Sequence, residues 1–185
     1  MAPVSTTDRL DRLESLADIR QLAVRYAQAV DERDLDALVA LFVPDVRVGR
    51  DGRGRGELRR WFAAGLRDLR VTIHLVAGHV VDLDGPDAAR GVVYCHDEIE
   101  PISGSWHHGM LQYWDTYRRV PGVGGPEWCF ERRQFRRWYR VDALERPAPG
   151  AGRATGRDPR STAQLPEAFE SWGRFWAEVG VSNGR

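Results

Sequence analysis

Lysine is absent from this chain: all 27 basic residues are arginine, and 27 acidic residues balance them. A formal net charge of zero argues against the basic field with which nucleic-acid-binding proteins attract phosphates. Long hydrophobic runs are also missing, because the longest, residues 38–43, is far too short to cross a bilayer. We therefore expect no nucleic-acid partner and no membrane partner.

Cysteine is scarce. Cys95 and Cys129 are the only two, and they form neither a disulfide framework nor a CxxC motif. The histidines lack the spacing of a recognised metal motif, so the sequence predicts no metal. The first residues are polar and resemble no secretory leader, which favours a cytoplasmic location.

Hydrophobic periodicity divides the chain into helices followed by strands. Apolar residues at helical spacing predict a first helix, capped at Thr6, Thr7 or Asp8 and running to about Val30. Asp34 is placed to cap a second helix over 35–42, and a third covers 57–69. The period then changes to two, which predicts strands over 71–83, 89–99, 106–120 and 128–139. Three helices and an antiparallel four-strand meander define an α+β fold.

The composition also predicts domain boundaries. Residues 1–146 form the α+β domain, and residues 147–163 form a linker rich in proline, glycine and arginine. Residues 164–180 form an amphipathic C-terminal helix with an aromatic stripe. We expect this helix to dock on the domain or on a neighbouring subunit, because such a stripe is unfavourable in water.

Two polar residues interrupt apolar patterns. Asp31 follows the stripe of the first helix, and His74 lies inside an apolar strand. A histidine transfers protons near pH 7, and a carboxylate beside it can fix its tautomer, so the two together would form an acid–base site. The plainer interpretations are a hydrogen-bonded core histidine and an aspartate that caps the next turn.

Strict alternation assigns faces to the later strands. It places Asp97 on an apolar face, where a buried charge needs a partner. On the last strand it places Arg133, Phe135, Arg137 and Tyr139 on one face, and Phe130, Arg132, Gln134, Arg136 and Trp138 on the other. Arg137 or Arg133 could therefore pair with Asp97, either as a structural ion pair or to hold a substrate carbonyl or carboxylate.

These residues, taken in order, resemble a known family. Tyr26 and Asp31 near the end of the first helix, His74 in the first long strand and Asp97 in the next are similar to the SnoaL-like, nuclear-transport-factor-like family. The likeness is to its dehydratase branch, which includes bile-acid 7α-dehydratase, scytalone dehydratase and hexachlorocyclohexane dehydrochlorinase. Arg137 matches the functional arginine of the first of these enzymes, and Arg133 that of the third.

The resemblance covers about residues 8–146 and implies a cone-like barrel, a homotrimer and catalysis without cofactor or metal. It implies a lyase that dehydrates a small hydrophobic substrate. His74, Asp31 and Tyr26 would be catalytic, and Asp97, Arg137 and Arg133 would bind substrate. Two alternatives stay open: a polyketide-type cyclase or isomerase, and a non-catalytic binding subunit such as a dioxygenase β-type subunit.

Overall fold

The computed structural model describes residues 5–122, 124–144, 165–166 and 168–180. Its elements follow in the order helix α1 (Thr6–Glu32), helix α2 (Leu35–Ala40), strands β1 (Arg47–Val48) and β2 (Gly52–Arg53), helix α3 (Arg55–Leu66), strands β3 (Leu69–Leu83), β4 (Ala88–Pro101), β5 (His107–Gly122) and β6 (Gly125–Asp142), and helix α4 (Glu170–Val179). The α+β class and the order of three helices before four long strands are confirmed. The predicted linker, residues 147–163, lies outside the described residues.

Local polar contacts fix both ends of α1. Ser5, one residue before the predicted caps, accepts a hydrogen bond from the Asp8 backbone N–H, and Asp8 accepts one from the Ser5 N–H. This reciprocal pair satisfies two of the N–H groups that a helix start leaves open. At the other end Arg33 takes a left-handed conformation with φ of 60°, which stops the helix. Asp34 then caps α2, as predicted.

The four long strands form one antiparallel sheet in the order β3-β4-β5-β6, while β1 and β2 pair separately. One face of the sheet, here called the inner face, carries buried side chains that include Val93, Cys95, Leu111 and Tyr113. Helix α1 lies against β3, so the helical layer covers part of the inner face. The C-terminal half of β6 stays exposed.

Two bulges change the predicted faces of β6. Thr116 pairs with Arg132 but Tyr117 with Phe130, and Met110 pairs with Tyr139 but Leu111 with Arg137. Glu131 and Trp138 are therefore extra residues, and each reverses the alternation. Phe130 joins the inner face with Arg133 and is fully buried. Tyr139 pairs with Met110, away from the face of Arg133 and Arg137. The face assignments of Phe130 and Tyr139 were therefore wrong.

Helix α4 packs on the C-terminal end of α1. Ser171 Oγ donates a 2.6 Å hydrogen bond to the carbonyl of Glu32, one of the acceptors that a helix end leaves open. The buried Arg33 guanidinium lies 5.0 Å from the ring centroid of Trp172. It also donates to the Val30 carbonyl, to Thr72 Oγ1 and to the Leu69 carbonyl. Arg33 thus joins α1, β3 and α4, immediately behind Asp31.

Candidate functional site

Asp31 and His74 meet at the edge of the sheet. Asp31 Oδ2 accepts the backbone N–H of His74 at 2.8 Å, and Asp31 Oδ1 lies 2.7 Å from His74 Nδ1. Because a carboxylate only accepts hydrogen bonds, Nδ1 carries the proton and Nε2 of the neutral ring is left with a lone pair. The His74 side chain is 10% exposed, so the pair is screened from bulk water without being sealed. This is the arrangement of an oriented general base.

Asp97 extends the polar group across the sheet. It is the cross-strand partner of His74 and lies on the inner face, as predicted. Arg137 Nη2 donates to Asp97 Oδ2 at 3.2 Å, which compensates the buried carboxylate. Gly109 faces Asp97 on the next strand, and a Cβ there would stand 2.9 Å from Asp97 Oδ1 and 2.5 Å from a backbone oxygen. Any larger residue at position 109 would therefore collide with the Asp97 carboxylate and with the neighbouring backbone.

Arg133 has its own carboxylate, Asp115, which sequence reasoning missed. Arg133 Nε and Nη2 donate to the two oxygens of Asp115 at 3.0 and 2.7 Å, a bidentate pair with both side chains buried. Burial alone would lower the pKa of Arg133, but Asp115 outweighs it and the pKa is raised. The missed signal lay in the alternation of β5, which puts Asp115 between the buried Tyr113 and Tyr117.

The ion pair is the centre of a longer buried network. Tyr117 donates to Asp115 Oδ2 at 2.9 Å, and its oxygen lies 2.9 Å from His79 Nε2. Burial lowers the pKa of His79 to about 4, so this ring is neutral at physiological pH and donates from Nε2. Sequence analysis assigned no role to His79. Its contact with Tyr117, which donates to Asp115, places it behind the Asp115–Arg133 pair.

Tyr26 stands in an aromatic cage. Its ring makes edge contacts with the rings of Phe42, Phe62, Tyr113 and Phe130, with centroids 5.6–6.3 Å apart. The Arg133 guanidinium carbon lies 4.2 Å from its centroid, within cation–π range. Burial raises the pKa of Tyr26 to about 12. Its hydroxyl therefore stays protonated and can donate a hydrogen bond at any physiological pH.

A cleft of about 990 Å³ opens between α3 and the sheet. The lining residues include the Arg133 guanidinium and six aromatic side chains, namely Tyr26, Phe42, Trp61, Phe62, Tyr113 and Phe135. His74, Asp31, Asp97 and Arg137 are not among the residues that line it. The structure thus divides the predicted site: Tyr26 and Arg133 face the cleft, and the other four form a polar group beside it.

Phe135 connects the two parts. It lines the cleft, and the Arg137 guanidinium carbon lies 4.9 Å from its ring centroid. Arg137 in turn bonds Asp97, the partner of His74. Phe135 is half exposed and lies where the cleft and the polar group adjoin.

The described residues contain no cluster of three His, Cys, Asp or Glu side chains placed to hold a metal ion. Over the same part of the chain, no helix has the length and apolar character needed to cross a membrane.

The chain belongs to the SnoaL-like family, whose domain matches residues 11–134. The uncharacterized protein Rv2910c of Mycobacterium tuberculosis (strain ATCC 25618 / H37Rv) is 32% identical over 127 residues, which cover 64% of this chain and 82% of the relative. The resemblance stated from the residues is thereby confirmed at the level of the family.

Solved structures share the fold. A scytalone dehydratase candidate from Novosphingobium aromaticivorans DSM 12444 superimposes with a TM-score of 0.61 at 23% identity, covering 78% of this chain and 97% of that one. Hexachlorocyclohexane dehydrochlorinase LinA type 2 gives a TM-score of 0.67 at 21% identity, covering 76% and 97%. At these identities the likeness establishes the architecture, and the chemistry must be argued from the side chains.

Proposed function

We propose that this protein is a cofactor-independent carbon–oxygen lyase that dehydrates small hydrophobic β-hydroxy carbonyl compounds. The observation that carries the proposal is the Asp31–His74 pair, in which a carboxylate fixes the ring so that Nε2 is unprotonated. An enzyme needs such a base within reach of an acidic C–H, and a carbonyl beside that carbon supplies the acidity. The dehydratase and dehydrochlorinase among the structural neighbours, both named for eliminations, support this class.

The chemistry can be written with the side chains present. His74 Nε2 removes the proton next to the carbonyl, and Asp31 stabilises the imidazolium that forms. The C–O bond at the β carbon breaks, and the electron pair leaves with the hydroxyl oxygen. The His74 imidazolium then returns its proton to this oxygen, which forms water and restores the base. Arg133 or the Asp97–Arg137 pair holds the carbonyl oxygen, where negative charge develops. Tyr26 donates a hydrogen bond to the departing oxygen.

The apolar part of the substrate belongs in the cleft. Its aromatic walls accept a planar or alicyclic skeleton and exclude water, which favours elimination over hydrolysis. The reacting carbon must then lie where the cleft adjoins the polar group, at Phe135. We propose that the half-exposed Phe135 ring moves aside when the substrate binds.

The direct test is product analysis. The protein is incubated with a panel of aromatic and alicyclic β-hydroxy ketones, and products are identified by mass spectrometry and by the ultraviolet absorption of the conjugated enone. Loss of one water supports the lyase. A product of unchanged mass instead identifies an isomerase or cyclase that uses the same acid–base pair. An inert panel contradicts the proposed reaction.

Tyr26→Phe probes the second catalytic role. The ring and its aromatic contacts are kept, so we expect folding to be unchanged while kcat falls by roughly 10–100-fold through loss of one hydrogen bond in the transition state. Tyr113→Phe, an equivalent change on a neighbouring buried tyrosine, serves as the control and is expected to cost less. The measurement is the steady-state kcat of both variants on the best substrate. Equal losses of kcat in the two variants would contradict a catalytic role for Tyr26.

A second candidate function is a non-catalytic binding subunit, because the cleft is lined by neither Asp31 nor His74. That function predicts ligand binding in the cleft, measured by quenching of Trp61 fluorescence, with no turnover and no effect of changing His74. It also predicts copurification with a larger catalytic chain.

We further propose that the protein is a homo-oligomer, a trimer as the resemblance implies. The outer face of the sheet carries exposed apolar side chains at neighbouring positions, among them Ile73, Leu75, Val80, Tyr94 and Trp114. Such a patch is typical of an interface. Leu75→Glu combined with Trp114→Glu is expected to yield monomers in sedimentation equilibrium while circular dichroism stays native. A monomeric wild type would contradict this.

A further inference from the structure

Three side chains near the loop between β4 and β5 form a hydrogen-bonded row that the proposed lyase does not use. Ser105 Oγ is 2.8 Å from His107 Nε2, and His107 Nδ1 is 2.6 Å from Asp142 Oδ1. Because the carboxylate accepts, Nδ1 carries the proton, and Nε2 therefore accepts the hydroxyl hydrogen of Ser105. Serine, histidine and aspartate in this order, through these two nitrogens, match the nucleophile, base and orienting acid of a hydrolytic triad.

The fold holds the three residues from different elements. His107 begins β5, with its side chain only 8% exposed, and Asp142 is its cross-strand partner at the end of β6. Ser105 lies in the loop between β4 and β5, directly after Gly104, whose φ of 90° is a conformation that glycine favours. The base is thus fixed in the sheet, and the nucleophile is presented to solvent by the loop.

The same loop offers donors for a developing oxyanion. Within the described residues, the backbone N–H groups of Ser105 and Trp106 donate to no protein acceptor, whereas the Gly104 N–H is engaged by the Pro101 carbonyl. Adjacent amides beside a nucleophile are the usual components of an oxyanion hole. Asp142 is 80% exposed, whereas the ring that it orients is 8% exposed.

We propose that Ser105 is a nucleophile towards small activated carboxylic esters, with His107 as its base and Asp142 as the residue that orients the base. Ser105 Oγ attacks the carbonyl carbon, and its proton passes to His107 Nε2. The ester C–O bond breaks, and the leaving alkoxide takes the proton from Nε2. Water then attacks the acyl-serine, giving one proton to Nε2, which returns it to Ser105 as the acid departs.

This activity is separate from the proposed elimination. It uses none of the residues assigned to that reaction, although His107 lies two residues from Gly109, which faces Asp97. A substrate for one site is not expected to need the other, and each can be tested when the other is disabled.

The test uses the full chain with two probes, an alkyl fluorophosphonate and p-nitrophenyl acetate. Intact-mass and peptide mass spectrometry are expected to show one adduct per chain, on Ser105. Ser105→Ala should abolish it, and His107→Gln should slow labelling by roughly 100-fold or more. Ser103→Ala, in the same exposed loop, is the matched control and should label at the wild-type rate.

Ser105→Ala removes only a solvent-exposed hydroxyl, so its thermal unfolding should match the wild type and the result cannot be ascribed to misfolding. Labelling no faster than in the heat-unfolded chain would overturn the proposal. An adduct that persists in Ser105→Ala, or one located on Ser103, would overturn it equally. His74→Ala should label normally, which separates this outcome from failure of the lyase proposal.

Discussion

His74→Ala is expected to lower kcat/KM for dehydration by about 10²–10⁴-fold, the range that a positioned general base contributes. The backbone N–H of His74 still donates to Asp31, so the sheet should keep its register. Because the ring is 10% exposed and bonds Asp31, its loss should lower the free energy of unfolding by about 1–3 kcal/mol. Initial rates on the best β-hydroxy ketone, with far-ultraviolet circular dichroism as the folding check, give the result.

Asp31→Asn sharpens the test because it reverses the tautomer. The asparagine oxygen can still accept the His74 backbone N–H, but its amide must donate to Nδ1. The ring proton then moves to Nε2, the nitrogen that should act as base. We expect an activity close to that of His74→Ala, with the fold retained.

The matched control is His96→Ala. His96 lies one residue from Asp97 but on the outer face, where its ring stacks with that of His108 at 6.1 Å. The activity of His96→Ala should stay within about twofold of the wild type, since this ring lies on the opposite face of the sheet from His74. Full activity of His74→Ala would reject the acid–base assignment, whatever the control shows.

Asp115→Ala is expected to be the most destabilising single change, lowering the free energy of unfolding by about 3–5 kcal/mol. It leaves the Arg133 guanidinium buried among three aromatic rings without a counter-charge, and it leaves the Tyr117 hydroxyl without its acceptor. Urea unfolding followed by tryptophan fluorescence measures the change.

Two companion variants isolate the cause. Asp84→Ala breaks an exposed ion pair with Arg90 and should cost about 1 kcal/mol or less. Asp115→Leu combined with Arg133→Met removes both buried charges and should be more stable than Asp115→Ala, because no uncompensated charge remains. If the double variant is no better, buried charge is not what makes Asp115 necessary.

The sequence predicted the helices and long strands, and it predicted one contact of the site, between Asp31 and His74. Helical spacing gave α1, and the resemblance joined Asp31 to His74 across 43 residues, a contact that the structure shows at 2.7 Å. The assignment of α1 did not depend on strand register, because a helix end tolerates an error of a residue or two.

The faces of β3 and β6 did depend on register. A bulge at Ala77 places both His74 and His79 on the inner face although they are five positions apart, an odd spacing that strict alternation assigns to opposite faces. Bulges at Glu131 and Trp138 change β6 in the same way. No residue type marks these bulges, since none of the three is glycine. Strict alternation therefore missed the location of Phe130 and Tyr139. The Asp115–Arg133 pair was missed for another reason, because the alternation of β5 already placed Asp115 between two buried tyrosines.

The docking of α4 has a consequence for how the chain folds as it is synthesised. Trp172, Phe175 and Trp176 are among the most buried side chains of the core, and Ser171 completes the end of α1. Translation proceeds at about 5–20 residues per second, so the sheet emerges from the ribosome seconds before these residues. Until then the Arg33 turn behind Asp31 is uncovered. Until α4 is synthesised, the nascent chain therefore leaves exposed to solvent the part of its apolar core that this helix covers.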